Sequence, residues 1–203
     1  MLRRFCPAFV LCFAVATSAA AGAFGLPEDP AEVNALDQQK AFVLFSMLRH
    51  QDLAYDFPAD GCYARCHLMT LQLRQMGVEL RRAWAFSGKN RLFAKTPKGT
   101  MSWDFHVAPL VPVRVGDKVQ WLVFDPTMLG HPVTLEEWGN AMRKNDSFPM
   151  PALTTTQLGE PPLRNGKRTG GSGYWMGGDP REGATAHATN MIKGYIAKRP
   201  KTK

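Results

Sequence analysis

The chain has 203 residues, 45% hydrophobic, 21% charged and 10% aromatic, with 25 Lys and Arg against 17 Asp and Glu for a formal charge of +8. That size suits one domain, and that composition excludes a disordered chain, a collagen-like chain and a multi-span membrane protein. Four cysteines are too few for a disulfide scaffold at this length, and the positive charge speaks to solubility and acidic partners rather than to fold.

The N-terminus reads as a secretory signal over residues 1–23, which leaves a single domain over 24–203. Arg3 and Arg4 precede an apolar run from Phe5 to Ala16, and the small residues Ala19–Ala21 and Ala21-Gly22-Ala23 offer cleavage sites. The alternative is an uncleaved anchor helix, but residues 5–23 approach spanning length only if every Ala and Gly counts as apolar. Cys12 follows Leu11 rather than small residues, which argues against lipid attachment. Removal of the signal takes Cys6 and Cys12 with it, lowers the charge to +6 and leaves Cys62 and Cys66. The expected location is secreted or periplasmic, with no integral span in the mature chain.

A first helix is predicted from Asp29-Pro30, with Asp29 as N-cap, to about His50. A second starts near Asp60 and carries Cys62, Cys66, Met69, Leu73 and Met76 along one face, closed by Gly77. His67 points off that stripe. Three strands follow, at Val78 to Phe86, Trp103 to Val115 and Lys118 to Asp125, the last two joined by a Gly116-Asp117 hairpin turn. Thr134 to Glu137 is a capping box opening a short helix with Trp138 and Met142. The Pro- and Gly-rich stretch 149–184 reads as loop, with Tyr174-Trp175-Met176 as a flap. Helical period returns from Ala188 to Ile196 ahead of a basic tail, so 185–203 is a terminal helix and tail. The fold class is α+β, helices packed on an antiparallel sheet.

Cys62 stands in the first turn of its helix, where free backbone N–H groups and the helix dipole favour a thiolate and provide donors for an oxyanion. Taken alone, it is better explained as the first apolar residue of the stripe. The hairpin adds a second observation. A two-residue Gly116-Asp117 loop sets Val115 opposite Lys118, and counting back sets Ala108 opposite Asp125 and His106 opposite Thr127. His106 and Asp125 then share a face as diagonal neighbours, within reach of each other. Leu110, Trp121 and Val123 share that face and desolvate the pair. A core histidine at 106 and a turn-forming Asp125 before Pro126 are the plain alternatives.

Helix-start thiol, strand histidine and adjacent-strand aspartate follow the order used by papain-like and transglutaminase-like thiol enzymes. The segment Asp60-Gly-Cys-Tyr-Ala-Arg-Cys-His-Leu-Met69 resembles the nucleophile motif DGCYARAH of bacterial protein glutaminases (protein-glutamine deamidases). Trp103 to Ala108 is similar to their W-x-Y-H-V-A segment, and Val123 to Pro126 to their I-D-P segment. The three motifs span residues 60–126, within a catalytic core expected at about 58–130. The resemblance implies Cys62 as nucleophile, His106 as general base and acid, and Asp125 as the carboxylate that orients it. It implies a papain/transglutaminase-like core that converts protein-bound Gln to Glu, releasing ammonia through a thioester. A transglutaminase, a thiol peptidase or a catalytically silent envelope-binding relative is the alternative.

The chain departs from that family in two ways. Residues 24–61 are few and mostly taken up by the expected first helix, so latency through a long pro-segment ahead of Cys62 is not expected, and Cys66 stands where the family motif has a small residue. Core filling is the plain reading of Cys66, since a disulfide between helical positions four apart is strained. Cys62, Cys66 and His67 lack a fourth ligand, so no metal is expected, and no cofactor. Tyr63 and Trp103 are candidates to line a substrate groove, with ordinary aromatic packing as the alternative. The substrate is expected to be a protein or peptide glutamine, with no nucleic acid as partner.

Overall fold

A computed structural model describes residues 34–200 except 89, 97, 98, 159, 161, 165, 166 and 169–181. The signal segment, the Asp29-Pro30 helix start and the Tyr174 to Met176 flap lie outside the described residues.

The elements run β1 (Leu36–Asp37), α1 (Gln38–Arg49), α2 (Cys62–Gln75), β2 (Arg81–Phe86), β3 (Leu92–Thr96), β4 (Gly99–Trp103), β5 (Phe105–Val115) and β6 (Lys118–Val123). They continue with β7 (Val133–Thr134), α3 (Leu135–Ala141), β8 (Ala152–Thr156), β9 (Leu163–Arg164), β10 (Lys167–Arg168) and α4 (Glu182–Ala197). Six strands form one sheet in the order β7-β6-β5-β2-β8, with β1 pairing parallel to the far end of β5. The β3–β4 and β9–β10 pairs stand apart from it. Helices on an antiparallel sheet make this an α+β fold.

β5 is the central strand, buried on both faces, which explains its nearly unbroken apolar sequence. Val111 and Val113 join the larger core under α1, α2 and α4, with Phe45, Leu48, Leu73, Phe124 and Ile192. Ala108 and Leu110 face the other way, toward Trp103, Trp121, Val123 and Trp138. Gly116 sits at φ +60, the left-handed region required of the first turn residue, and the ladder pairs Val115 with Lys118 through Leu110 with Val123. The Phe124 N–H then bonds Pro109 O at 2.9 Å, carrying the edge past Val123 toward Asp125.

The boundaries differ from the sequence reading in several places. Residues 34–37 are extended, and Asp37 rather than Asp29 caps α1, its carboxylate accepting Lys40 N–H at 2.7 Å. Pairing with β5 takes Leu36–Asp37 out of the helix. Val78 to Leu80 precede β2 rather than belonging to it, because Gly77 at φ +74 turns the chain with the Val78 N–H on Leu73 O. That turn leaves Met76 43% exposed rather than on the buried stripe. Asp104 splits the Trp103 to Val115 stretch, putting Trp103 in a β3–β4 hairpin that short mixed sequence does not announce. β8, inside the stretch expected as loop, pairs with β2 and places Thr156 Oγ1 under the Trp84 N–H at 3.0 Å. The Thr134–Glu137 capping box forms as expected at α3.

Candidate active site

The turn Asp60-Gly61 sets the start of α2. Gly61 lies at φ +85, a conformation that costs an L-residue with a Cβ about 1–2 kcal/mol. Gly61 carries no side chain to cap the helix, so no side-chain bond closes the first turn where Cys62 stands. The first helical bond runs from Arg65 N to Gly61 O at 3.0 Å. Cys62 is half-buried, while Cys66, one turn below, is fully buried, and both thiols are free. Burial pushes the Cys66 thiol up to about 11, against smaller opposing influences from Arg82 and the Thr70 hydroxyl. It is a packing residue in an apolar cluster with Trp84, Phe86 and Val107.

His106 and Asp125 are each 1% exposed and meet at 2.8 Å, Nε2 to Oδ2. The other two contacts on that carboxylate are donors: the Trp138 Nε1–H on Oδ2 at 2.9 Å and the Thr127 N–H on Oδ1 at 3.1 Å. Three donors around a buried carboxylate favour its ionised form. Burial pushes Asp125 upward, but the His106 charge and hydrogen bond, Trp138 and Thr127 outweigh it and hold the carboxyl below its ordinary range. For His106 the largest influence is again burial, which lowers it. The charge and hydrogen bond of Asp125, followed by Cys62, outweigh burial and raise the imidazole above its ordinary value. With Nε2 committed to the carboxylate, Nδ1 is the ring atom left over. It is buried and has no hydrogen-bond partner among the described residues, and Cys62 is among the groups that raise the ring's affinity for a proton.

Two tryptophans fix the imidazole plane. Trp103 stacks on it at 4.7 Å between centroids and 11° between planes, and Trp138 lies against it at 5.7 Å. Trp103 is only 7% exposed, and its Nε1–H bonds Pro58 O at 3.0 Å, so its ring covers His106. Tyr63 is half-buried beside Cys62 and packs at the edge of the cluster around Cys66. His67, expected off the stripe, is 3% exposed, with Nε2 3.1 Å from Thr185 Oγ1, because α4 covers that face of α2. Among the described residues no three His, Cys, Asp or Glu side chains gather where they could hold a metal ion.

Sequence reasoning missed two residues here. Trp138 reads only as an apolar position of α3. A buried indole N–H does need an acceptor, but which acceptor is a long-range matter. Arg65 is a charged residue 1% exposed, its guanidinium donating to Ala54 O at 3.2 Å, Phe57 O at 3.3 Å and Asp60 O. Those carbonyls belong to the loop leading into Cys62, and Arg65 shapes that loop from inside. An arginine four residues ahead of Met69, beside the apolar stripe of α2, was the available signal.

The chain is similar to known proteins in family and in fold. A family described as Glutaminase matches residues 33–142, just over half of the chain. A crystal structure of protein-glutaminase is similar at TM-score 0.52 and 24% identity, covering 61% of this chain and 74% of that one. Pro-protein-glutaminase is similar at TM-score 0.51 and 25% identity, covering 60% of this chain and 47% of its own. The NMR structure of protein-glutaminase from Chryseobacterium proteolyticum is similar at TM-score 0.51 and 23% identity, covering 61% and 72%. The chain thus matches about half the length of the pro-enzyme structures. No curated protein matches it. A match running from just before β1 through α3 takes in all three motifs, and on that match the chain belongs to the glutaminase family.

Proposed function

We propose that this protein deamidates glutamine side chains of proteins or peptides, with Cys62 as nucleophile, His106 as general base and acid, and Asp125 as its orienting carboxylate. The observation that carries the reading is the buried imidazole whose Nε2 is bound to Asp125 and whose Nδ1 has no hydrogen-bond partner among the described residues. Asp125 keeps the proton on Nε2 in the neutral ring and stabilises the imidazolium. Because Asp125 and Cys62 raise its affinity for a proton, the ring holds one on Nδ1 when Cys62 is ionised.

The Cys62 thiolate attacks the side-chain carbonyl carbon of glutamine, and the backbone N–H of Cys62 at the start of α2 receives the oxyanion. His106 gives its Nδ1 proton to the amide nitrogen, the C–N bond breaks, ammonia leaves and a thioester remains. His106 then takes a proton from water as it attacks. The C–S bond breaks, and the product is glutamate with the thiol restored. Every proton moves on this chain's own residues, and the scheme uses neither a metal nor a cofactor. Tyr63 is the candidate that meets the substrate beside Cys62, while Trp103 acts through His106.

The same reading places the enzyme outside the cytoplasm, with 1–23 removed as a signal and 24–203 acting as one domain. Among the described residues no helix is long and apolar enough to cross a membrane. The N-terminal sequence of the exported protein checks this assignment.

The test of function is ammonia release from casein by residues 24–203 beside Cys62→Ala. Release that disappears in the variant, with Gln becoming Glu by mass and no cleavage, supports the deamidase. Cut peptides or amine incorporation without ammonia would replace it with the peptidase or transglutaminase. Biological effect retained in Cys62→Ala would point to a silent binding relative.

A further inference from the structure

The loop between α1 and α2 is held from two sides. From inside, Arg65 gathers the carbonyls of Ala54, Phe57 and Asp60. One of these belongs to Ala54, a fully buried residue at φ +54, a conformation that persists only where its surroundings enforce it. From outside, α4 and the residues just past its end grip the same loop. Tyr195 stacks on Phe57 at 4.4 Å between centroids and 19° between planes. Its hydroxyl donates to Asp60 Oδ2 at 2.8 Å. Arg199, just past the helix end, bridges Asp52 and Asp56 at 2.6–2.8 Å.

The Asp60 carboxylate links α4 to the nucleophile. Its Oδ1 accepts the Gly61 N–H at 2.7 Å, while its Oδ2 takes the Tyr195 hydroxyl. One carboxylate therefore fixes the left-handed Gly61 turn and docks α4 at once. The fit is tight, since a Cβ built on Gly61 would lie 2.6 Å from the Tyr195 ring. α4 lies C-terminal to the family match, which ends at residue 142.

We propose that α4 clasps the nucleophile turn, with Tyr195 a positioning residue that acts through Asp60 and Gly61 to aim the Cys62 thiol at His106. The inference rests on Cys62 being the nucleophile. It gives a chain segment beyond the matched core a part in the reaction: with the clasp loosened, the turn samples other conformations and Cys62 spends less time in line. A misplacement of about 1 Å costs on the order of a hundredfold in rate. Removing one of two supports is expected to cost about tenfold.

The test uses the full mature chain with Tyr195→Phe, which removes one oxygen and keeps the ring on Phe57. Thr185→Val is the control, since it breaks a polar contact between α4 and α2, at His67, away from the nucleophile turn. Two readouts are taken: the rate of Cys62 alkylation by iodoacetamide, and kcat and KM for ammonia release. Cys66, fully buried and with its thiol pushed up by burial, is expected not to react on that timescale. The clasp predicts alkylation slowed several-fold and kcat lowered about tenfold in Tyr195→Phe, KM within twofold, and Thr185→Val like wild type at an equal loss of thermal stability. Alkylation at the wild-type rate in Tyr195→Phe, or equal slowing in both variants, would overturn it. The alkylation ratio decides the clasp even where no ammonia appears, an outcome that strikes only the deamidase reading.

Discussion

Two acid–base clusters use contacts of similar length in opposite surroundings. His106 meets Asp125 at 2.8 Å with both side chains 2% exposed, whereas Arg199 meets Asp52 and Asp56 at 2.6 Å with the three side chains 35–56% exposed. In the first, water is excluded and each lone pair and proton must find a protein partner; the Trp138 and Thr127 N–H groups complete the carboxylate's set. In the second, water and salt compete with the protein, and the pairs add geometry to the loop more than stability. Distance alone says nothing about the worth of an ion pair: burial sets it, and burial also makes the first cluster suited to moving protons.

The largest break in that comparison is Asp125→Asn, which keeps shape and removes charge. The asparagine no longer enforces the useful tautomer, and kcat is expected to fall about 10³- to 10⁴-fold, as in other triads, with KM little changed. Steady-state ammonia release measures it. Next in size is the pH dependence of unfolding. The folded imidazole is raised, so its contribution is complete below about pH 6.5, the unfolded value, and is lost as pH rises through the folded value. The folded Asp125 carboxyl is lowered, so its contribution is complete above about pH 4 and is lost as pH falls through the folded value. Urea midpoints should therefore form a plateau between these limits and decline on both sides. A wild-type profile as flat as that of Asp125→Asn would contradict the assignment.

Trp138→Phe sharpens the comparison by removing one donor to Asp125 while keeping an aromatic ring against His106. It is expected to cost about 1.5–3 kcal/mol in urea unfolding, the worth of a hydrogen bond to a charged group, and about tenfold in kcat. Arg199→Gln is the smallest expected effect. It should lower the melting temperature slightly at low salt, with the difference vanishing at about 0.5 M salt, where the screening length is only a few ångström. A large, salt-independent loss would mean that the exposed cluster behaves like the buried one.

Much of the site was legible because it rests on local geometry. The Gly116-Asp117 turn sets strand register, and counting back from Val115 and Lys118 brings His106 and Asp125 to one face without any long-range information. The Cys62 helix start and the Thr134 capping box are likewise short-range features, governed by a few consecutive residues. Other residues gave misleading local signals. Met76 continues the apolar spacing of α2, yet Gly77 ends the helix there, and the residue stays exposed. Trp103 runs on in sequence into β5, yet Asp104 breaks the strand and leaves the indole free to stack on His106.

Sequence by itself determined the α+β class, the hairpin register, the helix-start cysteine and the pairing of His106 with Asp125, because turn chemistry and side-chain period act over a few residues. Only tertiary structure decided that Trp138 completes the Asp125 shell, that Arg65 holds the loop carbonyls, and that Tyr195 reaches Asp60 from 135 residues away. These contacts are selected by the need to satisfy polar groups after they are buried. Which groups are buried together is set by the packing of the whole chain, not by any local pattern within it.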